Sequence, residues 1–383
     1  MNILYIAFKD FSILHYGASK KVLSECRALE ELGHTVTLVG QSQGNTAIID
    51  VDGNRKIIGL HKPFYIKKVQ PLFDKQHQIK DVLKYTKKKK YDLCYIRFDL
   101  NTRNFIELLK NLQKVCKKIL IEIPTYPYSK EYTGKLNQIR LKIDDHYAKF
   151  IYKYVDKIIS FYEIPGSKYY DVPVQVVSNG FDFDETEVIS NNSISDVIEI
   201  AAVSSMRIWH GYERFIEGLY KYYHDGGRRQ ILFHIVGDGR EGSKYKELVK
   251  KYELFDHVIF HGAMHGKELD QLLEQCTLGV DSLARHRTGI SVLSSLKSRE
   301  YGAKGIPIIN SCKIDIIDDD FKYFLQVPAD ETPINMEQII SFYDGIYKGK
   351  ERAEIAKEIR NYIECKSSMC AVMRMIIEEK SNV

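Results

Sequence analysis

Short apolar runs alternate with amphipathic stretches along most of this sequence, and the alternation lapses once and then restarts. Ile3–Ala7 is apolar, and a helix is expected from about Ala18, with Val22, Cys26 and Leu29 on one face and Gly33 placed to stop it. "HTVTLVG", "DLCYIRF" and "KKILIEIP" read as further strands, a long helix is expected over Gln138–Val155, and "DKIISF" follows as a strand. Strand-length apolar runs separated by helices specify βαβ units and a parallel sheet covered on both faces. The lapse is the polar stretch "EVISNNSISD" at Glu187–Asp196, read as a linker. Beyond it "VIEIAAV", "ILFHIVG", "HVIFHG" and "TLGVDS" repeat the pattern, with helices expected at Tyr212–Tyr223, Ser243–Glu253 and Gly266–Gln275. At 383 residues the chain exceeds the roughly 250–300 that one core supports. The expectation is therefore two α/β domains, 1–186 and 187–360, with a last helical segment at 361–383.

A composition of 44% hydrophobic and 28% charged residues fits a soluble globular chain. No apolar run approaches the ~20 residues that span a bilayer, and the N-terminus is charged too soon for a signal peptide. Seven cysteines with no CxxC pair suggest neither a disulfide framework nor a zinc site, but buried free thiols in a reducing compartment. The net charge of +5 does not by itself point to nucleic acid. Two basic runs, Lys84–Asp92 and Lys114–Lys118, fall in the first half. They are solvated helix ends, or they attract an anionic membrane surface.

Parallel α/β sheets bind ligands outside the carboxyl ends of their strands, beside helix N-termini. Two facing domains of this kind would enclose a cleft suited to a phosphorylated ligand. "GDGREG" (Gly237, Gly239, Gly242) fits the dinucleotide fingerprint by spacing, but the next strand ends "IFHG" without the acid that would hold a ribose. A tight turn, or a bare turn that a mononucleotide approaches, is the alternative. Gly17 lies just before the first helix, where backbone amides can meet a phosphate or sugar, or the segment is an ordinary N-terminal loop. Arg207 sits at the carboxyl end of "VIEIAAV", well placed to neutralise phosphate, although single arginines are usually surface groups. In "SSLKSREYGAKGIPII", Leu293, Leu296, Glu300 and Ala303 share one helical stripe, which puts a carboxylate where the core is expected. The ordinary reading of Lys297 and Glu300 is an i,i+3 surface ion pair. Glu122, under the rigid loop "PTYPY", suits a sugar site, or the loop is a prolyl connector with packed tyrosines. Two DxD tripeptides, Asp182/Asp184 and Asp318/Asp320, read as solvated acids, and no metal is expected.

Taken in order, "GASKKVLSECRALEELGHTVTLVG", "VVSNGFD", "MRIWHGYERFIEGL", "ILFHIVGDG", "VIFHGAMHGKEL" and "LKSREYGAKGIPII" resemble a glycosyltransferase of the GT-B fold, family 4 (group 1) type, over nearly the whole length. The resemblance implies two Rossmann-like domains facing across a cleft. The first would bind the acceptor and the second the nucleotide sugar, with the last helix returning to the first. It implies that Glu300 binds the donor ribose, that Arg207 holds the diphosphate, that Gly237 and Gly239 lie beside the nucleotide, and that Gly17 lies against the phosphate or sugar. It places Glu122 where relatives carry a histidine near the transferred sugar.

There are three departures. Val292 stands where the EX7E motif has its first glutamate, so the loop Ala284–Ser291 is expected to replace it, with Thr288 and Gly289 nearest the donor sugar. His210 stands in for a lysine after Arg207, with Lys297 supplying the second cation. Glu122 replaces the histidine. The function so implied is metal-free, retaining transfer from a nucleotide diphosphate sugar, UDP-linked by preference, to a saccharide hydroxyl in capsule, exopolysaccharide or cell-surface glycan synthesis. A lipid-linked acceptor is included, no cofactor or nucleic acid is expected, and the location is cytoplasmic or peripheral at the inner membrane face. A catalytically silent GT-B partner subunit and an NAD-dependent oxidoreductase are the alternatives.

Overall fold

In the first half the alternating side chains of one strand divide between two apolar layers. Ile3, Tyr5 and Ala7 face one layer and Leu4 and Ile6 the other, as the period of a strand requires. The computed structural model describes residues 1–12, 17–63, 70–132, 134–190 and 196–378. His15 and positions 191–195 of the polar stretch lie outside the described residues. By its internal contacts the chain divides into two units, Met1–Gly180 with Met369–Val383, and Phe181–Ser368. The sequence reading put these boundaries after residues 186 and 360.

The first unit contains strands β1 (Asn2–Asp10), β2 (Thr35–Ser42), β3 (Asn45–Ile49), β4 (Arg55–Gly59), β5 (Tyr91–Arg97), β6 (Cys116–Ile123), β7 (Lys157–Ser160), β8 (Lys168–Tyr169) and β9 (Val172–Val176). They form one sheet in the order β4-β3-β2-β1-β5-β6-β7-β9-β8. Its centre is parallel, with β1 between β2 and β5. Helices α1 (Gly17–Glu31), α2 (Gln70–Thr86), α3 (Arg103–Leu112) and α4 (Lys135–Ala148) connect the strands. Val22, Cys26 and Leu29 of α1 are buried, as their spacing requires. The antiparallel β3–β4 hairpin is not expected from the apolar pattern. It is set by "DVDGN", where the Asp50 carboxylate accepts the N–H groups of Asp52 and Asn54 at 3.1 and 2.8 Å and Gly53 turns at φ 84°. Helix α4 starts at Lys135 after Gly134 (φ 91°) and stops at Ala148, a register shift from the expected Gln138–Val155.

The second unit holds β10 (Ile198–Val203), β11 (Ile231–Val236), β12 (Val258–Gly262), β13 (Leu278–Val280), β14 (Val292–Leu293), β15 (Ile308–Asn310), β16 (Lys313–Ile314) and β17 (Phe324–Gln326). The main sheet runs β12-β11-β10-β13-β15-β17, all parallel, and β14 pairs with β16. Helices α5 (Tyr212–His224), α6 (Gly242–Lys251), α7 (Lys267–Gln275), α8 (Leu296–Lys304), α9 (Met336–Tyr347) and α10 (Arg352–Ser367) cover it. The final helical segment is two helices, α10 and α11 (Met369–Ile377). The break falls at Ser368, where the Phe181 N–H donates to the Ser367 carbonyl at 2.8 Å and Phe181 bridges Ser368. Only α11 belongs to the first unit, where Val372 and Met373 pack with the α1 residues.

Candidate functional site

Three loops of the second unit meet at the carboxyl ends of β10 and β13 and the N-terminus of α8. The segment after β10 is stitched to the one after β13: Leu283 N–H donates to the His210 carbonyl at 2.8 Å and Ala284 N–H to that of Trp209 at 3.1 Å. A Cβ on Gly211 would lie 2.6 Å from the Ala284 Cβ, so the two loops touch through bare backbone. Arg287 clamps them further, donating to the Ile208 carbonyl and the Glu213 carboxylate, each at 2.7 Å.

At the end of β13, Asp281 is fully buried. It lies 3.0 Å from the Lys297 ammonium and accepts from the hydroxyls of Ser298 (2.6 Å) and Ser282 (2.9 Å). Burial would push this carboxyl up, but Lys297 and the hydroxyls of Ser295 and Ser298 outweigh it and hold it well below the carboxylate range. For Lys297, burial outweighs the Asp281 carboxylate and lowers its pKa. The Ser295 side chain caps α8, so Lys297 stands in its first turn.

His210 is 4% exposed, and its Nδ1 accepts the backbone N–H of Arg207 at 2.8 Å. A neutral ring that accepts at Nδ1 carries its proton on Nε2. Burial first, then the charges of Lys297 and Arg285, push its pKa well below 6.5, so the ring is neutral at pH 7. The same interactions place Arg207, Arg285, Lys297 and Asp281 around one imidazole. Arg285 lies over the Trp209 ring at 5.3 Å, and its Nε is buried without a hydrogen-bond partner. Among the described residues no carboxylate forms an ion pair with Arg207 or Arg285, whereas Asp281 is taken by Lys297.

Several expected residues are placed differently. Thr288 is buried and donates to the Arg285 carbonyl at 2.9 Å, and the Gly289 N–H donates to the His286 carbonyl at 3.0 Å. Both groups are used inside their own turn, and the loop instead presents Arg285. Gly237 and Gly239 face their own chain, since a Cβ on either would sit 1.9 Å from the carbonyl oxygen of Ser204 or Ser205. Packing of the loop after β10 therefore accounts for the glycines that suggested a dinucleotide site. Glu300 is half-buried beside Lys297, while α8 buries Ser298, Arg299, Tyr301, Gly302, Ala303 and Lys304. Of the stripe through Glu300, Leu293 and Ala303 are buried, while Leu296 and Glu300 between them are partly exposed. Tyr301 is what fits α8 under the sheet, its hydroxyl accepting the Val203 N–H at 3.0 Å and its ring lying where a Cβ on Gly279 would be. Asp318 is bound to Lys366 and to the Tyr362 hydroxyl.

In the first unit, Glu122 ends β6 inside a buried charged network. It accepts from the Tyr95 hydroxyl (2.8 Å) and from Arg97, and Lys21 lies at 3.5 Å. Tyr5 donates to Glu25 at 2.6 Å, and Lys21 also pairs with Glu25. Burial raises both carboxyls. Lys21 and Arg97 win at Glu122, which is pulled down, while burial and the Glu122 charge keep Glu25 up. The Glu122 side chain has no exposed surface and that of Arg97 has 17%, so Arg97 is the member that meets solvent. Gly17 opens α1, and a methyl group placed on it would meet none of the described residues within 4 Å.

The family described as glycosyl transferases group 1 matches residues 184–311. A search of curated protein sequences gives no significant match. Among solved structures, sucrose-phosphate synthase from Thermosynechococcus elongatus is similar at a TM-score of 0.70 and 16% identity, covering 98% of this chain and 97% of that one. A glycosyltransferase from Rickettsia africae gives 0.65 and 15%, with 98% and 96% covered. HepE of Anabaena, in complex with UDP-glucose, gives 0.60 and 14%, with 98% of each covered. At such identities the structural likeness speaks for the fold, and the family match speaks for the segment that contains Arg207, His210, Asp281 and Lys297. The fold shared along its length is thus that of the GT-B glycosyltransferases, and residues 184–311 of the second unit match the group 1 family.

Proposed function

We propose that the enzyme transfers its sugar from a UDP-linked donor to a saccharide hydroxyl, with retention of anomeric configuration and without a metal. The observation that carries this reading is the set of cations, Arg207, Arg285 and Lys297, gathered around the neutral His210 at two strand ends and a helix N-terminus. Breaking the glycosyl bond leaves negative charge on the departing diphosphate, and fixed cations with a helix dipole aimed at that charge lower the barrier. Arg207 and Arg285 hold the diphosphate. Lys297, kept in place by Asp281, lies behind them, and the Nε2–H of His210 donates to a donor oxygen. Glu300 receives the ribose hydroxyls. Glu122 acts through Arg97, which it orients, rather than on the sugar. The UDP preference draws on HepE, whose structures hold UDP and UDP-glucose. A role in cell-surface glycan synthesis draws on WaaG, a similar structure involved in lipopolysaccharide biosynthesis. The acceptor is a saccharide, lipid-linked, met at the cytoplasmic face of a membrane. Among the described residues no helix is long and apolar enough to cross one.

Calorimetry with UDP, GDP and NAD tests the proposal. UDP should bind and Arg207→Ala should weaken it at least about tenfold. Binding of NAD with no response to either nucleoside diphosphate would overturn it. The alternative of a catalytically silent subunit draws on Val292, an exposed valine at the motif's first acidic position. It predicts that UDP binds while no UDP-sugar is ever hydrolysed or transferred.

A further inference from the structure

Both sheets change direction at one central pair of strands. In the second unit the chain passes from β10 to β11 on one side and from β13 to β15 on the other, and the candidate donor site lies where β10 and β13 end. In the first unit the chain passes from β1 to β2 on one side and from β5 to β6 on the other. Such a switch point opens a crevice at the carboxyl ends of the two strands, and parallel α/β sheets bind ligands there. Donor binding uses the crevice of the second unit and leaves that of the first to another ligand.

The crevice of the first unit is edged by two cations. Arg97 is the last residue of β5 and pairs with Ala7 of β1. Phe8 packs with the layer of Leu4 and Ile6, and Phe11 with that of Tyr5 and Ala7. The alternation therefore turns Lys9 to the Tyr5 side, diagonally across from Arg97. Between Ile6 and Asp10 the register of β1 with β2 shifts, and such irregularities re-aim side chains beside binding sites. Lys9 is half-buried and makes no hydrogen bond or ion pair with any described residue. Burial and then the charge of Arg97 push its pKa down. The Asp10 carboxylate acts the other way, but it accepts the N–H groups of Ser12 at 2.7 Å and Gln43 at 3.3 Å. Arg97 gives Nη1 to Glu122, and its Nε and Nη2 donate to no described residue. Lys21, the cation nearest behind them, is paired with Glu25 and lies 3.5 Å from Glu122. Two like charges thus share the crevice, and an anion between them turns their repulsion into attraction.

We propose that Lys9 and Arg97 form an oxyanion subsite of the first unit, which holds an acidic group, phosphate or carboxylate, carried by the saccharide acceptor. The planar guanidinium of Arg97 offers its free edge to two oxygens, and Lys9 adds a point charge. Glu122, with no exposed side-chain surface, fixes the fork from behind. A neutral saccharide leaves the two cations facing each other, so the crevice selects an acidic one. The inference rests on the reading of this protein as a transferase with a saccharide acceptor, and adds that the acceptor is charged.

Calorimetry on the full chain tests it, with UDP present to fill the cations of the second unit. Glucose 1-phosphate or methyl glucuronide should bind at least about tenfold more tightly than methyl glucoside. Whichever acid binds more tightly names the group as phosphate or carboxylate. Lys9→Gln should remove the preference for the acid and leave UDP affinity as it was. Its melting temperature should hold or rise, because the variant loses no partner among the described residues and relieves a like-charge contact. Arg97→Lys keeps the charge on Glu122 but not the fork, and should weaken the acidic ligand at least about threefold. Absence of binding by either acid, equal binding of acid and glucoside, or a Lys9→Gln variant that binds the acid as well as the wild type would overturn the proposal. So would a Lys9→Gln variant that loses UDP affinity to the same degree, since the cations would then serve the donor diphosphate. The Lys9 effect is also read without UDP, so a chain that fails to bind UDP refutes the donor reading and not this one.

Discussion

The backbone N–H of Arg207 donates to Nδ1 of His210 across 2.8 Å. This contact fixes both the tautomer of a buried ring and the direction of its remaining proton. It also makes the ring costly to protonate, because the second proton would have to displace the Arg207 N–H from Nδ1, beside three cations.

The pH dependence of stability follows. His210 has a folded pKa well below 6.5, so the unfolded chain takes up its proton first as pH falls. The contribution of the neutral ring is complete above about pH 6.5 and is lost progressively below it, at up to about 1.4 kcal/mol per pH unit. Denaturant titrations between about pH 7 and pH 5 should show a shallower acid loss for His210→Gln than for the wild type. Equal slopes would mean that the ring is not held neutral.

The Asp281–Lys297 pair is a buried ion pair that supports a site. Lys297→Met strands a fully buried carboxylate and should cost about 3–5 kcal/mol in unfolding free energy. Adding Asp281→Asn should recover part of that loss, because the stranded charge is gone. A double-mutant cycle with no coupling would deny the pair its role.

Two glycines separate packing from binding. Gly237→Ala pushes a methyl into the Ser204 carbonyl at φ 115°, and should cost more than about 2 kcal/mol. Gly17→Ala meets none of the described residues and starts a helix, so stability should hold or rise by up to about 1 kcal/mol. A fall in sugar-transfer kcat/KM at unchanged melting temperature would then place Gly17 at the donor.

Glu122→Ala leaves Arg97 without its carboxylate, while Lys21 keeps Glu25, and should cost about 3–5 kcal/mol. Tyr95→Phe removes one hydrogen bond to the same carboxylate and should cost about 1 kcal/mol. If Glu122 acts through Arg97, Arg97→Lys should alter acceptor KM more than donor KM. An effect confined to the donor would refute that assignment.

Because side-chain cations meet the donor charge in the proposed mechanism, transfer should be unchanged by a metal chelator. Activity that a chelator removes and a divalent cation restores would show that the acids read as solvated hold a metal after all.

The sequence by itself determined the alternation of strands and helices in both units, though not the β3–β4 hairpin or the bounds of α4. Periodicity is local, so Val22, Cys26 and Leu29 of α1 or the run Ile198–Val203 needed no partner to be legible. It also pointed to Arg207, Lys297, Glu300 and His210, because strand ends and helix starts are visible in a string and the resemblance lay on the same segments. Tertiary structure alone decided which groups share a space. Asp281 was one acid in "TLGVDS" and Arg285 one cation in a basic loop. Only the parallel pairing of β10 with β13, and the seating of α8 by Tyr301, bring them to His210. That α8 buries Ser298 and Arg299 as well as Ala303 is decided in the same way. Ser298 and Arg299 satisfy their polar groups with Asp281 and Asp315, so they are enclosed without being apolar. A hydrophobic pattern records what avoids water, but it does not record which polar groups find each other once water is gone.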